Sequence, residues 1–220
     1  MKATRFYFNS VTLCLILCLG TLTPQLFAQL DHATKLIDSH YFVDAQANLE
    51  ELLKAEPHNI SARFYLGIAY IGQGKYSDAL RELKTVESEQ ETANQLSQPE
   101  GPTVFQYDLA LARTYLGLHQ YKEAWPKLEA ARIENPDSSD VFLYRGVYFY
   151  EHKDFDKAIV DLEKALKLDS NNVYAYYYAG MTYYKLGQPD QAVELMKRFL
   201  ELVPDAPEAP EVKKIVDELC

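Results

Sequence analysis

The stretch VYAYYYAGMTYYKLGQPDQAVELMKRFLELVP, residues 173–204, reads as two short amphipathic helices joined by a turn at Leu186-Gly187-Gln188-Pro189. In the first half Tyr176, Ala179, Gly180 and Tyr183 fall at i, i+3, i+4 and i+7, one stripe of a helix. Gly180 within that stripe costs about 1 kcal/mol of helix propensity, so something must need its missing side chain. Close approach of the second helix supplies the reason, and Ala192 on that helix is small enough to allow it. The second helix begins at Pro189, where a helix has an unpaired N–H anyway. It carries Ala192, Leu195, Met196, Phe199 and Leu202 on its inner face and stops at Pro204.

The same pattern returns upstream. Small residues recur at Ala33, Gly67, Ala112, Gly146 and Gly180, with gaps of 34, 45, 34 and 34. A second column is alanine every time: Ala45, Ala79, Ala124, Ala158 and Ala192. A third is bulky, at Leu36, Tyr70, Tyr115, Phe149 and Tyr183. A fourth reads Phe42, Tyr76, Tyr121, Phe155 and Pro189. An 11-residue insertion accounts for the single long gap. Repetition at this period is the mark of a stacked array, in which each unit is too small to bury its own apolar face.

These columns resemble the tetratricopeptide repeat (TPR) family. The resemblance covers about 26–206 as five units: 26–59, 60–93, 105–138, 139–172 and 173–206. The family's helix-ending proline stands at Pro57, Pro136 and Pro204, with Glu91 and Ser170 in its place elsewhere. It implies an all-α, right-handed α-solenoid of helix-turn-helix units that binds proteins or peptides and performs no catalysis. The implied organisation is a leader at 1–28, two units over 29–93, a loop at 94–104 following a long helix from Ser77 to about Leu96, three units over 105–206, and a cap at 207–220. In that last segment Val212, Ile215, Val216 and Leu219 trace an apolar stripe, as a helix covering the final repeat requires.

The N-terminus has its own signature. Lys2 and Arg5 precede an apolar run from Val11 to Leu22, and Ala28 offers a small residue for cleavage, the layout of a secretory signal. The run is short for a permanent span, which takes about 20 apolar residues. An exported protein, periplasmic or in the cell envelope if bacterial and otherwise secreted, is the expectation; an uncleaved anchor is the alternative. Cys14 and Cys18 follow leucines, which disfavours lipidation. Cleavage leaves Cys220 as the lone cysteine and removes both early basic residues, so that 20 basic face 32 acidic residues. Such a balance disfavours nucleic acid.

No catalytic or cofactor signature is present. Gly72-Gln73-Gly74-Lys75 lacks the remaining positions of a phosphate-binding loop and reads as an inter-helix turn. His152, Asp154 and Asp156 fall on the corresponding turn of the fourth unit, where an aspartate caps a helix; His40 and His119 also sit on such turns. Neither a metal nor a cofactor is expected. Asn59-Ile60-Ser61 is a glycosylation sequon, relevant only in a eukaryotic secretory pathway. Asp108 and Arg145 stand at stripe positions that are apolar elsewhere, and a mutual ion pair across adjacent units is expected. Pro126 is expected near the first turn of its helix, where few hydrogen bonds are lost.

In the family the first helices of successive units line the concave surface. A second stripe runs along these helices through Phe64, Ile68 and Ile71, then Leu109, Arg113 and Leu116, then Leu143, Val147 and Tyr150, and finally Tyr177, Met181 and Tyr184. Tyr65, Tyr144, Tyr174 and Tyr178 flank it. Tyrosine pairs a large apolar body with a polar tip, suited to a wall that a partner covers. One TPR subfamily grips C-terminal carboxylates with Lys, Asn and Arg in its groove; Phe64, Ile68, Leu143 and Tyr177 here do not match it. The candidate site is therefore Phe64, Tyr65, Ile68, Arg113, Tyr144, Tyr150, Tyr174, Tyr177, Tyr178, Met181 and Tyr184, holding a segment of a protein partner. Self-assembly, by end-to-end stacking or through Cys220, is the reading from a different class.

Overall fold

The computed structural model describes residues 24–95 and 101–220. The candidate signal run, Cys14 and Cys18, and residues 96–100 of the expected loop lie outside them. The described residues form eleven helices: α1 (Pro24–Asp38), α2 (Phe42–Ala55), α3 (Ile60–Gly72), α4 (Tyr76–Gln95), α5 (Val104–Gly117), α6 (Tyr121–Glu134), α7 (Ser139–Glu151), α8 (Phe155–Leu168), α9 (Val173–Lys185), α10 (Pro189–Leu202) and α11 (Ala209–Leu219). None is long and apolar enough to cross a membrane. Odd-numbered helices from α1 to α9 open the units and even-numbered ones close them. α1 already begins at Pro24 and continues through the expected cleavage point after Ala28.

Each opening helix packs on its own closing helix, on the closing helix before it and on its neighbouring opening helices. Closing helices of adjacent units make no comparable contact. The opening helices therefore crowd the inner, concave side and the closing helices fan out on the convex side. The alanine column sits at the crossing within each unit, with Ala45, Ala79, Ala124, Ala158 and Ala192 all fully buried. Glycine faces it in three units. A methyl on Gly146 would lie 2.5 Å from Leu162 Cγ, and one on Gly180 would lie 2.9 Å from Met196 Cγ. The small residues are thus there to let two helices touch.

The aromatic column has a different task. The Phe42 ring covers Gly72 at the end of the next unit's opening helix, and the Tyr76 ring covers Gly117 in the same way. Between the two helices of each unit the chain turns through one left-handed residue: His40 (φ 63), Gly74 (φ 71), His119 (φ 56), Lys153 (φ 60) and Gly187 (φ 70). In each turn its N–H and the next one bond back to the ending helix, as in Gly187 to Tyr184 at 3.2 Å and Gln188 to Tyr183 at 3.0 Å.

Side-chain caps fix the starts of α3, α5, α7, α8 and α9. Asn59, Ser138, Asp154 and Asn172 each accept from a backbone N–H three residues on. Thr103 and Gln106 form a reciprocal capping box at the head of α5. Behind it, the Gln90 amide donates to the Pro102 carbonyl at 3.2 Å and ties the loop's exit to α4. At the far end α11 lays Val212, Ile215 and Val216 against Met196 and Phe199 of α10. Lys213, Lys214, Asp217 and Glu218 face outward, as the cap reading requires.

Two local expectations are corrected. Asp108 does not pair with Arg145. Its carboxylate accepts from Lys127 at 2.6 Å, on the closing helix of its own unit. Arg145 instead lies 3.3 Å from Glu129 and 3.5 Å from Asp161. These contacts are close enough for charge attraction but not aligned for hydrogen bonds, and the guanidinium also stacks over Trp125 and Phe142. Pro126 is the sixth residue of α6, beyond its first turn. The helix continues through it and forgoes the bond that a residue at 126 would donate to the Lys122 carbonyl.

Candidate functional site

The concave wall is built by α3, α5, α7 and α9. At its N-terminal end Phe64 is 4% exposed and belongs to the core, its ring edge-on to Tyr65 at 5.4 Å. Tyr65 and Ile68 are half-buried. The middle is formed by Arg113, whose guanidinium lies over the Tyr144 ring at 5.1 Å. That stacking fixes the direction of a long, flexible cation.

The C-terminal end divides in two. Met181 is buried, and with Tyr177, Tyr184 and Tyr150 it packs in the cluster closed by Val212, Ile215 and Val216 of the cap. Tyr177 also meets Phe199 at 5.4 Å. These residues therefore seat α11, and a double change at Tyr177 and Tyr184 would disturb the cap as well as any ligand. Tyr174 and Tyr178 remain on the open wall, Tyr174 at 46% exposure. Tyr178 meets Tyr150 at 5.8 Å and Tyr177 at 5.0 Å, edge to face in both cases.

Electrostatics knit the open part together. Burial pushes the Tyr144 phenol up, with Arg113 pulling the other way. Burial also raises Tyr174 and then the carboxylate of Glu208 adds to it. Tyr177 is pushed up to about 12 by burial, then by Glu211 and weaker neighbours. The phenol of Tyr76 acts on Tyr144, Tyr174 and Tyr178 alike, so it joins the wall although it starts a closing helix. Reading the sequence misses Tyr76, Glu208 and Glu211 as wall residues. Tyr76 is already accounted for there as a packing residue, and the cap's acids have no repeat column to locate them.

The raised phenols of Tyr144, Tyr174, Tyr177 and Tyr178 are neutral at ordinary pH and available as donors. They have no hydrogen-bond partner among the described residues. Tyrosines elsewhere do: Tyr107 donates to the Leu83 carbonyl at 3.0 Å, Tyr176 to the Ser170 carbonyl at 3.0 Å and Tyr70 to Glu50 at 3.0 Å. Among the described residues no three His, Cys, Asp or Glu side chains gather as a metal site would need.

Stacked helix pairs with a polar-tipped aromatic inner wall define a protein-interaction scaffold of the α-solenoid class. Sequence profiles of the tetratricopeptide repeat match residues 36–96, 109–173 and 149–215, and the chain belongs to that family. It is 28% identical over 166 residues to human tetratricopeptide repeat protein 13, a match covering 76% of this chain and 18% of the relative. It is also 28% identical over 158 residues to the peroxisomal targeting signal receptor of Saccharomyces cerevisiae, covering 71% of this chain and 25% of that one. The chain thus spans a quarter or less of these relatives. Among solved structures, a thermophilic TPR protein of Thermus thermophilus superimposes with a TM-score of 0.66 at 19% identity, over 88% of this chain and 98% of that one. YrrB, described as a TPR protein with an unusual peptide-binding site, gives 0.52 at 19% identity, over 94% of this chain and 98% of its own. Both show the shared solenoid fold.

Proposed function

We propose that this chain is an exported, non-enzymatic scaffold that holds an extended segment of a partner protein along its concave wall, from Tyr65 past Arg113 and Tyr144 to Tyr174 and Tyr178. The observation that carries this reading is the set of phenols at Tyr144, Tyr174 and Tyr178 with no hydrogen-bond partner among the described residues. A passing backbone offers carbonyls to such donors, and the rings supply apolar contact area between them. The peptide-binding site of YrrB and the targeting-signal receptor of yeast are in keeping with the same use of the fold. Export rests on the Lys2/Arg5 region, the apolar run Val11 to Leu22 and Ala28.

The test uses Tyr174→Ala combined with Tyr65→Ala, which leaves the cap contacts of Tyr177 and Met181 in place. Affinity capture from the native envelope fraction should lose a defined partner while far-ultraviolet circular dichroism is unchanged. Undiminished capture would sink the groove. The mass of the mature chain tests cleavage of the leader: a chain beginning at Gln29 supports a released exported protein, and one beginning at Met1 overturns release in favour of the uncleaved anchor.

A further inference from the structure

Arg113 is set apart from the other arginines among the described residues. Arg63, Arg81, Arg132, Arg145 and Arg198 each lie within 4 Å of a carboxylate. Arg113 has no carboxylate at that distance and only the Tyr144 ring beneath it. Glu208, at the head of α11, is the converse case. Its Oε2 is buried and has no hydrogen-bond donor among the described residues. The two charges act on different tyrosines of one wall, Arg113 on Tyr144 and Glu208 on Tyr174, and they form no ion pair with each other.

We infer that the segment held on the wall carries an acidic side chain that docks on Arg113 and a basic side chain that docks on Glu208. This rests on the groove reading and specifies its ligand. A half-buried charge without a partner is costly, and an opposite charge brought by a ligand relieves it. A guanidinium can donate two parallel N–H bonds to a carboxylate, and one held over a ring keeps that capacity. Two charges of opposite sign at different points of one wall also fix the direction in which the segment runs, because the reversed segment places like charges together. In a chain of formal net charge −10, an acidic side chain meets general repulsion, so the acidic contact is favoured at Arg113, the arginine that among the described residues has no carboxylate of its own to offset its charge.

The probe is a displayed library of short random peptides selected on the full chain. Selected peptides should carry one acidic and one basic residue in a constant order. Arg113→Glu should weaken them by roughly 10- to 100-fold and select a base in place of the acid; Glu208→Lys should make the opposite exchange. Arg113→Gln and Glu208→Gln, with circular dichroism, separate loss of charge from loss of fold. Peptides that depend on Tyr174 but show no charge preference overturn this inference and leave the groove standing. An acid found only as a free C-terminal carboxylate also overturns it. Peptides insensitive to both Tyr174 and the charge changes, or no selected peptides at all, remove the groove and this inference with it.

Discussion

Replacing the buried glycines by alanine puts helix propensity and packing in direct opposition, and the structure ranks the outcome. Each change gains about 1 kcal/mol of propensity, while overpacking a filled site costs about 1–3 kcal/mol. At Gly67 the new methyl meets the Leu83 side chain at 3.2 Å, with the Ala79 oxygen at an ordinary 3.8 Å. A shift of a few tenths of an ångström clears it, so Gly67→Ala should change stability by no more than about 0.5 kcal/mol. At Gly180 the methyl meets Met196 Cγ at 2.9 Å, a flexible group, but also the Met196 nitrogen at 3.3 Å and the Ala192 oxygen at 3.4 Å. A loss of about 0–1 kcal/mol follows from the same opposition. At Gly146 it meets Leu162 Cγ at 2.5 Å, Leu162 Cδ2 at 2.8 Å and the Ala158 oxygen at 3.3 Å. Leu162 is fully buried and has little room to retreat, so the net loss should be about 1–2 kcal/mol. Urea unfolding followed by circular dichroism reads the order, with midpoints compared because arrays need not unfold in one step. Gly67→Ala proving as harmful as Gly146→Ala would refute the reasoning.

Two further outcomes are expected. Lys153 is exposed and left-handed at φ 60, so Lys153→Gly should stabilise by about 1 kcal/mol, whereas Gly187→Ala at φ 70 should destabilise by a similar amount; thermal unfolding of the pair checks the opposite signs. Burial holds the Asp161 carboxyl above its usual 3.8, Arg145 opposes this and Glu129 adds to it. The folded chain therefore binds that proton more tightly than the unfolded chain. Ionisation costs stability at neutral pH, and the cost fades as pH falls through the raised value toward 3.8. The native chain should gain on Asp161→Asn as the pH is lowered into that window, and urea midpoints that move the other way would contradict it.

The repeat columns carried most of the fold because each column is a helix–helix contact repeated five times. Gly180 opposite Ala192 could be read as a close crossing before any coordinates, and the long α4, the turn at Gly72-Gln73-Gly74-Lys75 and the cap all followed. Columns fix where helices lie but not where long side chains end. Asp108 found Lys127 in its own unit, and Arg145 found Glu129 and Asp161, because Lys and Arg stems reach across several candidate partners. The repeat register placed the turns at His40, His119 and His152 as well as at the glycines, but not their backbone conformation; His40, His119 and Lys153 are left-handed because the surrounding helix ends impose it. The wall was partly legible. Its tyrosines could be listed, but whether Met181 or Tyr177 faced water depended on how closely α11 came down on them.

The contact pattern has a mechanical consequence. Among the described residues no helix packs on anything beyond its own unit and the neighbouring one, so nothing spans the curve to brace it. Such a strip bends as springs joined in series do, with small rotations at each junction adding along its length. A ligand laid from Tyr65 to Glu208 would act as a string across a bow, fixing the arc between the second unit and the cap while the first unit keeps its own freedom to flex.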